Sequence, residues 1–469
     1  MRAHPLEPAR SATVRRRPRR SGAAVGLAWL LGGAAACTSI VDWDLGAGIG
    51  APCSSDDQCQ GSSCIDDICA SPCEPDGSCP RGTVCADRVC QVPTSVAFLV
   101  PGPVGQEDLS YSFELARQEL ELALRYVSTS LEDELFLSSE AATAAQSAIA
   151  DGHGVIVGAR PAYAAAFAEL ADQNPDVSLL VHGAAITRPN LVSFDVRAYQ
   201  GTYLAGIAAA RKTSSRRLCF VASAVTPSVV ARVNGFVIGA RSVDPSIVVE
   251  VVWIGDWHDT QPPVNGQTRE RTETLAMLGR GCDVVAHSLD NNIPVSAVGQ
   301  LATPGVFAIG ANVATACELA PGRCIGSLVY RWSPILEELV DDAHRARLAG
   351  GRRLYGFRVS DTDSPMSFRV PSNLVGAQSI SAELDAVRAE LASEQGVGSV
   401  FQGPLRSTGQ CEAAQGDGVC VADGERLGDG QLESMCWLVE GAIAYDTSLA
   451  QDVPALVPPS GDCAPPDGG

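Results

Sequence analysis

Short, continuous apolar runs alternate with stretches in which apolar residues recur at three- and four-residue steps. Val96–Val100, Val155–Gly158, Val177–Val181, Leu218–Ala222, Ile247–Trp253, Cys282–His287 and Val306–Gly310 are the continuous runs, and their length and composition predict strands buried on both faces, as in parallel sheets. Between them, Phe113, Ala116, Leu120, Ala123 and Val127 share one helical face, and Val229, Val230, Val233, Phe236 and Val237 share another. This βαβ rhythm predicts an α/β body of open, doubly wound sheets. The polar, basic stretch Lys212–Arg217 interrupts the pattern and is read as a crossing between two lobes. The first lobe then occupies 95–212 and the second 213–310, while 311–469 returns to the first lobe and supplies the hinge and a C-terminal tail. Ligands of such sheets sit beyond the carboxyl ends of the strands, so the segments just after these runs are where a site is expected.

The N-terminal end follows a different pattern. Residues 1–36 hold seven arginines and one acidic residue, and the apolar run Ala23–Ala36 leads directly to Cys37. That is the form of an export signal, too short for a permanent span, which needs about 20 apolar residues. Ala34, Ala35 and Ala36 before a cysteine resemble a lipobox, with Ala34 where leucine is usual. Cleavage before Cys37 and acylation of its thiol are expected, with 37–50 as the lipid-anchored linker. The net charge of the whole chain is −20, and since the first 36 residues are basic, the acidic excess falls on the remainder. Lys212 is the sole lysine. A body without basic patches argues against a nucleic-acid partner.

Between 51 and 92 lie Cys53, Cys59, Cys64 and Cys69, then Cys73, Cys79, Cys85 and Cys90, two copies of a unit of nearly constant cysteine spacing. Units this small cannot bury a core and need staples. Structural zinc favours paired cysteines two to four residues apart, and no gap here is two residues. Four disulfides are therefore expected, with connectivity open. As a module, this neck is either a stiff spacer or a docking piece for another envelope protein. Farther on, Cys317 with Cys324 and Cys411 with Cys420 are close enough for local clamps. Cys219 and Cys282 either pair or stay reduced in the core, and Cys436 is matched with Cys463.

The stretch 195–257 contains A-Y-Q-G-T-Y-L-A-G-I, the strand C-F-V-A, R-V-N-G-F-V-I-G-A-R-S-V-D-P and V-V-W-I-G-D-W, in that order. With G-P-V-G and L-S-Y-S-F-E-L-A-R upstream, and V-F-Q-G-P-L-R and L-E-S-M-C-W-L-V-E-G-A-I downstream, the chain resembles the basic membrane protein family from about Val96 to Ala444. These are bacterial lipoproteins that bind small solutes, often nucleosides or purines, for ABC importers. The resemblance implies a two-lobed periplasmic-binding-protein fold with the solute in the interlobe cleft, preceded here by the disulfide-rich module.

Site residues follow from the same resemblance. Tyr111 matches the tyrosine of a family ligand loop, with Leu109 and Phe113 replacing its tryptophan and histidine. Trp257 and Asp259 match a W-x-D element, with His258 at the intervening aromatic position. Asp290 approximates a carboxylate that accepts hydrogen bonds from solute. Asn312 matches an asparagine whose tyrosine and aspartate neighbours are Ala311 and Ala314, and Trp332 matches the second tryptophan of W-N-W-G-P, with Tyr330 at the first. The resemblance implies that Trp257 and Trp332 face each other across the cleft. Rings would supply stacking area, with a few polar groups to orient a flat heterocycle. An aromatic usual after the second strand is missing from G-A-R-P-A-Y (158–163), where Tyr163 is the available substitute. Each of these also has a plain structural reading, as core packing for the rings or a solvated loop for the carboxylates.

No H-E-x-x-H, G-x-S-x-G or phosphate-cradling G-x-x-x-x-G-K-[ST] occurs, and without a nucleophile, base or metal set no reaction is assigned. Neither a cofactor nor a metal is expected. The sequence thus points to a lipid-anchored, extracytoplasmic solute receptor working with an ABC permease. The alternative is an envelope sensor or interaction protein in which the departures above have altered or removed solute binding.

Overall fold

The computed structural model describes residues 48–105, 108–259, 263–393, 398–407, 411, 418–446 and 451–452. The export segment, Cys37 and Cys463 lie outside the described residues.

Each cysteine repeat folds as a hairpin, β1 (Ser63–Ile65) with β2 (Ile68–Pro72), and β3 (Val84–Ala86) with β4 (Val89–Gln91). The hairpins join into one antiparallel sheet of order β1-β2-β4-β3. Both turns put two successive residues at positive φ, Asp66 and Asp67 in one and Asp87 and Arg88 in the other, as a tight hairpin turn matched to strand twist requires. The first cysteine of each repeat bonds the third and the second bonds the fourth: Cys53–Cys64, Cys59–Cys69, Cys73–Cys85 and Cys79–Cys90. Beyond the spacer reading, the neck is fastened to the body. Ala86 joins the main buried cluster, Arg345 donates to the Asp66 carbonyl at 2.7 Å and Arg347 lies 3.5 Å from the Asp67 carboxylate.

The body begins with β5 (Thr94–Leu99), α1 (Leu109–Ala123), β6 (Val127–Glu132), α2 (Ser138–Ala150), β7 (Val155–Gly158), α3 (Ala164–Gln173), β8 (Ser178–His182) and β9 (Leu191–Val196). It continues with α4 (Ala198–Ala210), β10 (Arg217–Ala222), α5 (Pro227–Val243), β11 (Val248–Trp253), α6 (Arg269–Gly279), β12 (Val284–His287), α7 (Ile293–Gly299), β13 (Phe307–Asn312) and β14 (Cys324–Tyr330). Then come α8 (Ser333–His344), β15 (Gly351–Tyr355), β16 (Met366–Arg369), α9 (Ala377–Leu391), β17 (Leu405–Arg406), β18 (Val419–Val421), α10 (Asp429–Leu432), β19 (Ala442–Asp446) and β20 (Gln451–Asp452). Lobe 1 has a six-stranded sheet of order β15-β9-β8-β7-β5-β6, parallel throughout. Lobe 2 has eight strands in the order β16-β14-β13-β12-β10-β11-β19-β20, with only β16 and β20 antiparallel.

The chain crosses from lobe 1 to lobe 2 earlier than expected, at Arg197, because α4 packs on α5, α9, β14 and β16 rather than on the first sheet. The stretch expected to cross, 212–217, is a turn of lobe 2, where Asp283 accepts hydrogen bonds from the Thr213 hydroxyl and the Ser214 and Ser215 amides at 2.6, 2.6 and 2.8 Å. Of 311–469, α8 and β15 return to lobe 1, while β14, β16 and β19 extend lobe 2. Val127, expected on the face of α1, opens β6 instead.

Helices α4 and α5 meet through their backbones. A Cβ on Gly206 would stand 2.1 Å from the Phe236 carbonyl oxygen, and one on Gly239 would stand 2.0 Å from that of Tyr203. In the body, Cys219–Cys282, Cys317–Cys324 and Cys411–Cys420 are bonded, and Cys436 is disulfide-bonded too. At the end of β12, His287 is buried, accepts the Leu289 amide at Nδ1 at 3.3 Å and donates from Nε2 to Asn292 Oδ1 at 2.9 Å. Burial pushes its pKa down to about 4, against a smaller upward pull from Asn292. No described helix is long and apolar enough to cross a membrane.

Three outcomes are expected. Peptide mapping without reduction should recover the neck pairs named above, first with third and second with fourth; any bond joining the two repeats contradicts them. Gly239→Ala should cost about 1–3 kcal/mol by overpacking in urea unfolding, whereas Gly279→Ala, whose Cβ meets nothing within 4 Å, should change stability by under about 1 kcal/mol. Because an unfolded imidazole takes a proton near 6.5 and folded His287 stays neutral to about 4, the unfolded state binds more protons between those values. Stability should therefore fall as pH drops through that window, by roughly 3 kcal/mol in all. His287→Gln should flatten the slope, measured by urea unfolding from pH 7 to pH 4.

Candidate functional site

Strand ends of both sheets converge on a cavity of about 420 Å³. Lobe 1 contributes Phe136 after β6, Arg160 after β7 and Gly183 after β8; lobe 2 contributes Thr226 and Ser228 at the start of α5, and Asp256 and Trp257 after β11. This is the placement that open α/β sheets favour, since their connecting loops all emerge at the carboxyl edge.

Arg160 bridges the lobes. It is 4% exposed, its Nη1 donates to the Phe136 carbonyl at 3.1 Å and its Nη2 to Asp256 at 3.2 Å. Its Nε lies 3.8 Å from an Asp290 oxygen that has no hydrogen-bond partner among the described residues. Burial raises the Asp290 pKa, and the Arg160 charge opposes that rise. A second pair lies deeper, His182 Nε2 at 3.3 Å from Asp195. Burial on its own would raise the Asp195 pKa, but the hydrogen bond and charge of His182, then the charges of Arg232 and Arg352, outweigh it and hold the carboxyl at about 2. Arg232, on α5, sits over the Trp257 ring, 5.7 Å from its centre.

Of the residues expected from sequence, Trp257 forms a wall of the cavity, and Asp290 reaches its edge through Arg160. The others are engaged elsewhere. Tyr111 is in the first turn of α1, half-buried, its amide donating to the N-capping Asp108 at 2.7 Å. Asp259 holds the start of α6, accepting the Arg269 amide at 2.9 Å while its own amide donates to Glu270 at 2.6 Å. Asn312, at φ 72°, donates to the carbonyls of Leu289 and Asp290, both at 3.0 Å, so it shapes the loop that carries Asp290.

Trp332 is fully buried in the hinge region, stacked on Phe113 at 5.0 Å, edge-on to His182 at 4.7 Å, and donating from Nε1 to Ser112 at 2.9 Å. The facing pair of tryptophans is therefore not formed. Phe113, which stands where the resemblance calls for histidine, occupies one face of Trp332. Nor does Tyr163 replace the missing aromatic, since it is fully buried and its hydroxyl donates to the Leu135 carbonyl at 2.5 Å.

Sequence reading passed over Arg160, His182, Asp195, Arg232 and Asp256. Arg160 and Asp256 lie two and three residues past the ends of β7 and β11, so the strand-end rule alone would have found them. His182, directly after the run Val177–Val181, carried the same signal, whereas Asp195 is a residue of the unrecognised strand β9 and Arg232 is in a helix, positions without it.

The family model described as "ABC transporter substrate-binding protein PnrA-like" matches residues 94–357. A purine-binding protein of Brucella abortus is 25% identical over 51% of this chain and 65% of its own length, just under two thirds. A putative ABC transporter glucose-binding protein of Haloferax volcanii is 27% identical over 62% of this chain and 73% of its own. Among solved structures, a transcriptional activator of the comK gene from Bacillus halodurans aligns with a TM-score of 0.53 at 20% identity, over 64% of this chain and 98% of that one. That last likeness is one of fold. With the family match spanning more than half its length, the chain belongs to the PnrA-like family of ABC transporter substrate-binding proteins.

Proposed function

We propose that the chain binds a small heteroaromatic solute, a nucleoside, purine or related molecule, between its lobes and presents it to an ABC permease for import. In this reading the protein works outside the cytoplasm, tethered by a lipid on Cys37, with the neck holding lobe 1. The observation that carries the proposal is the interlobe cavity, where Trp257 offers a ring face and Arg160, Asp256 and Asp290 offer orienting polar groups from opposite lobes. The purine-binding name of the Brucella relative supports the solute class, while the glucose-binding name of the Haloferax relative means that the choice rests on this chain's own cleft.

Among the described residues three connections join the lobes, near Arg197, Trp332 and Gly356. They are tied by hydrogen bonds from the Arg197 amide to the Tyr355 carbonyl at 2.8 Å, from the Phe357 amide to Gln200 at 3.2 Å and from the Arg331 amide to the Pro365 carbonyl at 2.8 Å. A solute touching both lobes stabilises the closed arrangement by its differential affinity for it, which gives a permease a shape to distinguish loaded from empty.

A second reading, an envelope sensor or interaction protein, has one observation in its favour. Arg160 already pairs with Asp256 across the cleft, so the groups suited to a polar solute also satisfy each other. Titration calorimetry with a panel of nucleosides and bases separates the two. Binding of at least one member is expected, with Trp257→Ala weakening it several-fold through loss of stacking, roughly 0.5–1.5 kcal/mol beyond area burial, and Arg160→Ala weakening it further. Binding that neither substitution alters would remove the cavity as the site. No binding across the panel would favour the sensor.

A further inference from the structure

Arg232 lies in the second turn of α5 and is 7% exposed, yet no described residue gives its guanidinium a hydrogen bond or a carboxylate within ion-pair reach. It lines a small compartment of about 60 Å³ with Gly183, Ser228 and three carboxylates, Asp195, Asp429 paired with Arg197 at 2.6 Å, and Glu433 paired with Arg352 at 3.1 Å. Gly183 and Ser228 also line the larger cavity, so the two adjoin, with the Trp257 ring 5.7 Å from the guanidinium. Asp195 feels the charge of Arg232, but its direct contacts go to His182 at 3.3 Å and to the Val196 amide at 2.7 Å. Arg160, by contrast, has carboxylates within reach.

The same compartment receives the start of α5, a 17-residue helix with Thr226 at its N-cap. The amides of Ser228 and Val229 have no intrahelical acceptor at these positions, and the aligned peptides give this end a partial positive charge that favours oxyanions. The charge of Asp195 offsets part of that of Arg232, but a largely buried guanidinium whose donors meet no acceptor is still costly. An oxyanion carried in by the solute would remove that cost and meet the free amides together.

We propose that the cleft is built for an anionic heteroaromatic solute, its ring against Trp257 and a phosphate or carboxylate between Arg232 and the first turn of α5. This rests on the reading of the cleft as a solute site and narrows the solute class. Calorimetry on the full chain tests it with matched pairs: adenosine against adenosine 5′-monophosphate for phosphate, uracil against orotate for carboxylate. The anionic member of at least one pair should bind at least tenfold more tightly than its neutral parent, and the pair that does so identifies the oxyanion. Arg232→Gln should abolish that gap and Arg232→Lys should keep part of it.

Thermal unfolding adds an independent readout. Arg232→Gln should leave the melting temperature of the unliganded protein within a few degrees, because the guanidinium makes no hydrogen bond to a described residue; a larger fall would mark Arg232 as a structural group and overturn the proposal. Neutral parents that bind as well as or better than their anionic partners overturn it while leaving the cleft as a solute site. An anionic preference that survives Arg232→Gln places the oxyanion elsewhere and overturns it equally. If no compound binds, the solute-site reading falls and this inference falls with it.

Discussion

The backbone contact between α4 and α5 is the constraint on which the rest of the body depends. Side chains normally keep helix axes 8–10 Å apart, but at Gly206 and Gly239 the partner's carbonyl occupies the space a Cβ would need. Because α4 leaves lobe 1 directly at Arg197, the depth at which it seats on α5 fixes where lobe 2 stands relative to the first crossing. Since α5 begins at the cleft, the same seating sets the positions of Thr226, Ser228 and Arg232 there. Packing on one side of lobe 2 and the geometry of the cavity on the other are thus one problem with one solution.

Asn234, on α5 ahead of Gly239, extends the constraint to the far end of the chain. Its amide donates to the Trp437 carbonyl at 2.8 Å and its oxygen accepts the Val439 amide at 3.0 Å. Two motifs distant in sequence, R-V-N-G-F and M-C-W-L-V-E-G, are therefore two halves of a single joint. That joint delivers β19 to the edge of β11, where the lobe 2 sheet gains the strand that widens it beyond β10 and β11.

Seven of the strands were legible as apolar runs because central parallel strands are buried on both faces and need no alternation. Three of those that escaped had reasons. β9 follows β8 after a loop too short for the usual helical crossover, β15 is half-exposed along its length as an edge strand, and β16 lies antiparallel at the other sheet edge. The crossing was misplaced because Lys212–Arg217 looks like a linker in composition, although Asp283 gathers its amides into an ordinary turn. α4 gave no warning of this, being apolar on all sides, the mark of a helix buried between layers rather than laid on one sheet.

The candidate site was less legible than the fold, and the cause is the same packing. The motifs that resembled a family most strongly, Y-L-A-G-I and G-F-V-I-G-A-R, contain the small residues that let α4 and α5 touch, so they report architecture. Trp332 and Asn312 matched ligand positions, yet one is consumed by Phe113 and Ser112 and the other by two loop carbonyls. An aromatic or amide at a strand end can serve a solute or the loop itself, and spacing alone does not distinguish the two uses. Charge does so better. Arg160 and Arg232 are both buried guanidinium groups at the cleft, and sequestering such groups from water is justified only by partners of opposite charge. Arg160 finds them in Asp256 and Asp290, across the lobe boundary, so the contact between the lobes there and the neutralisation of Arg160 are one and the same arrangement.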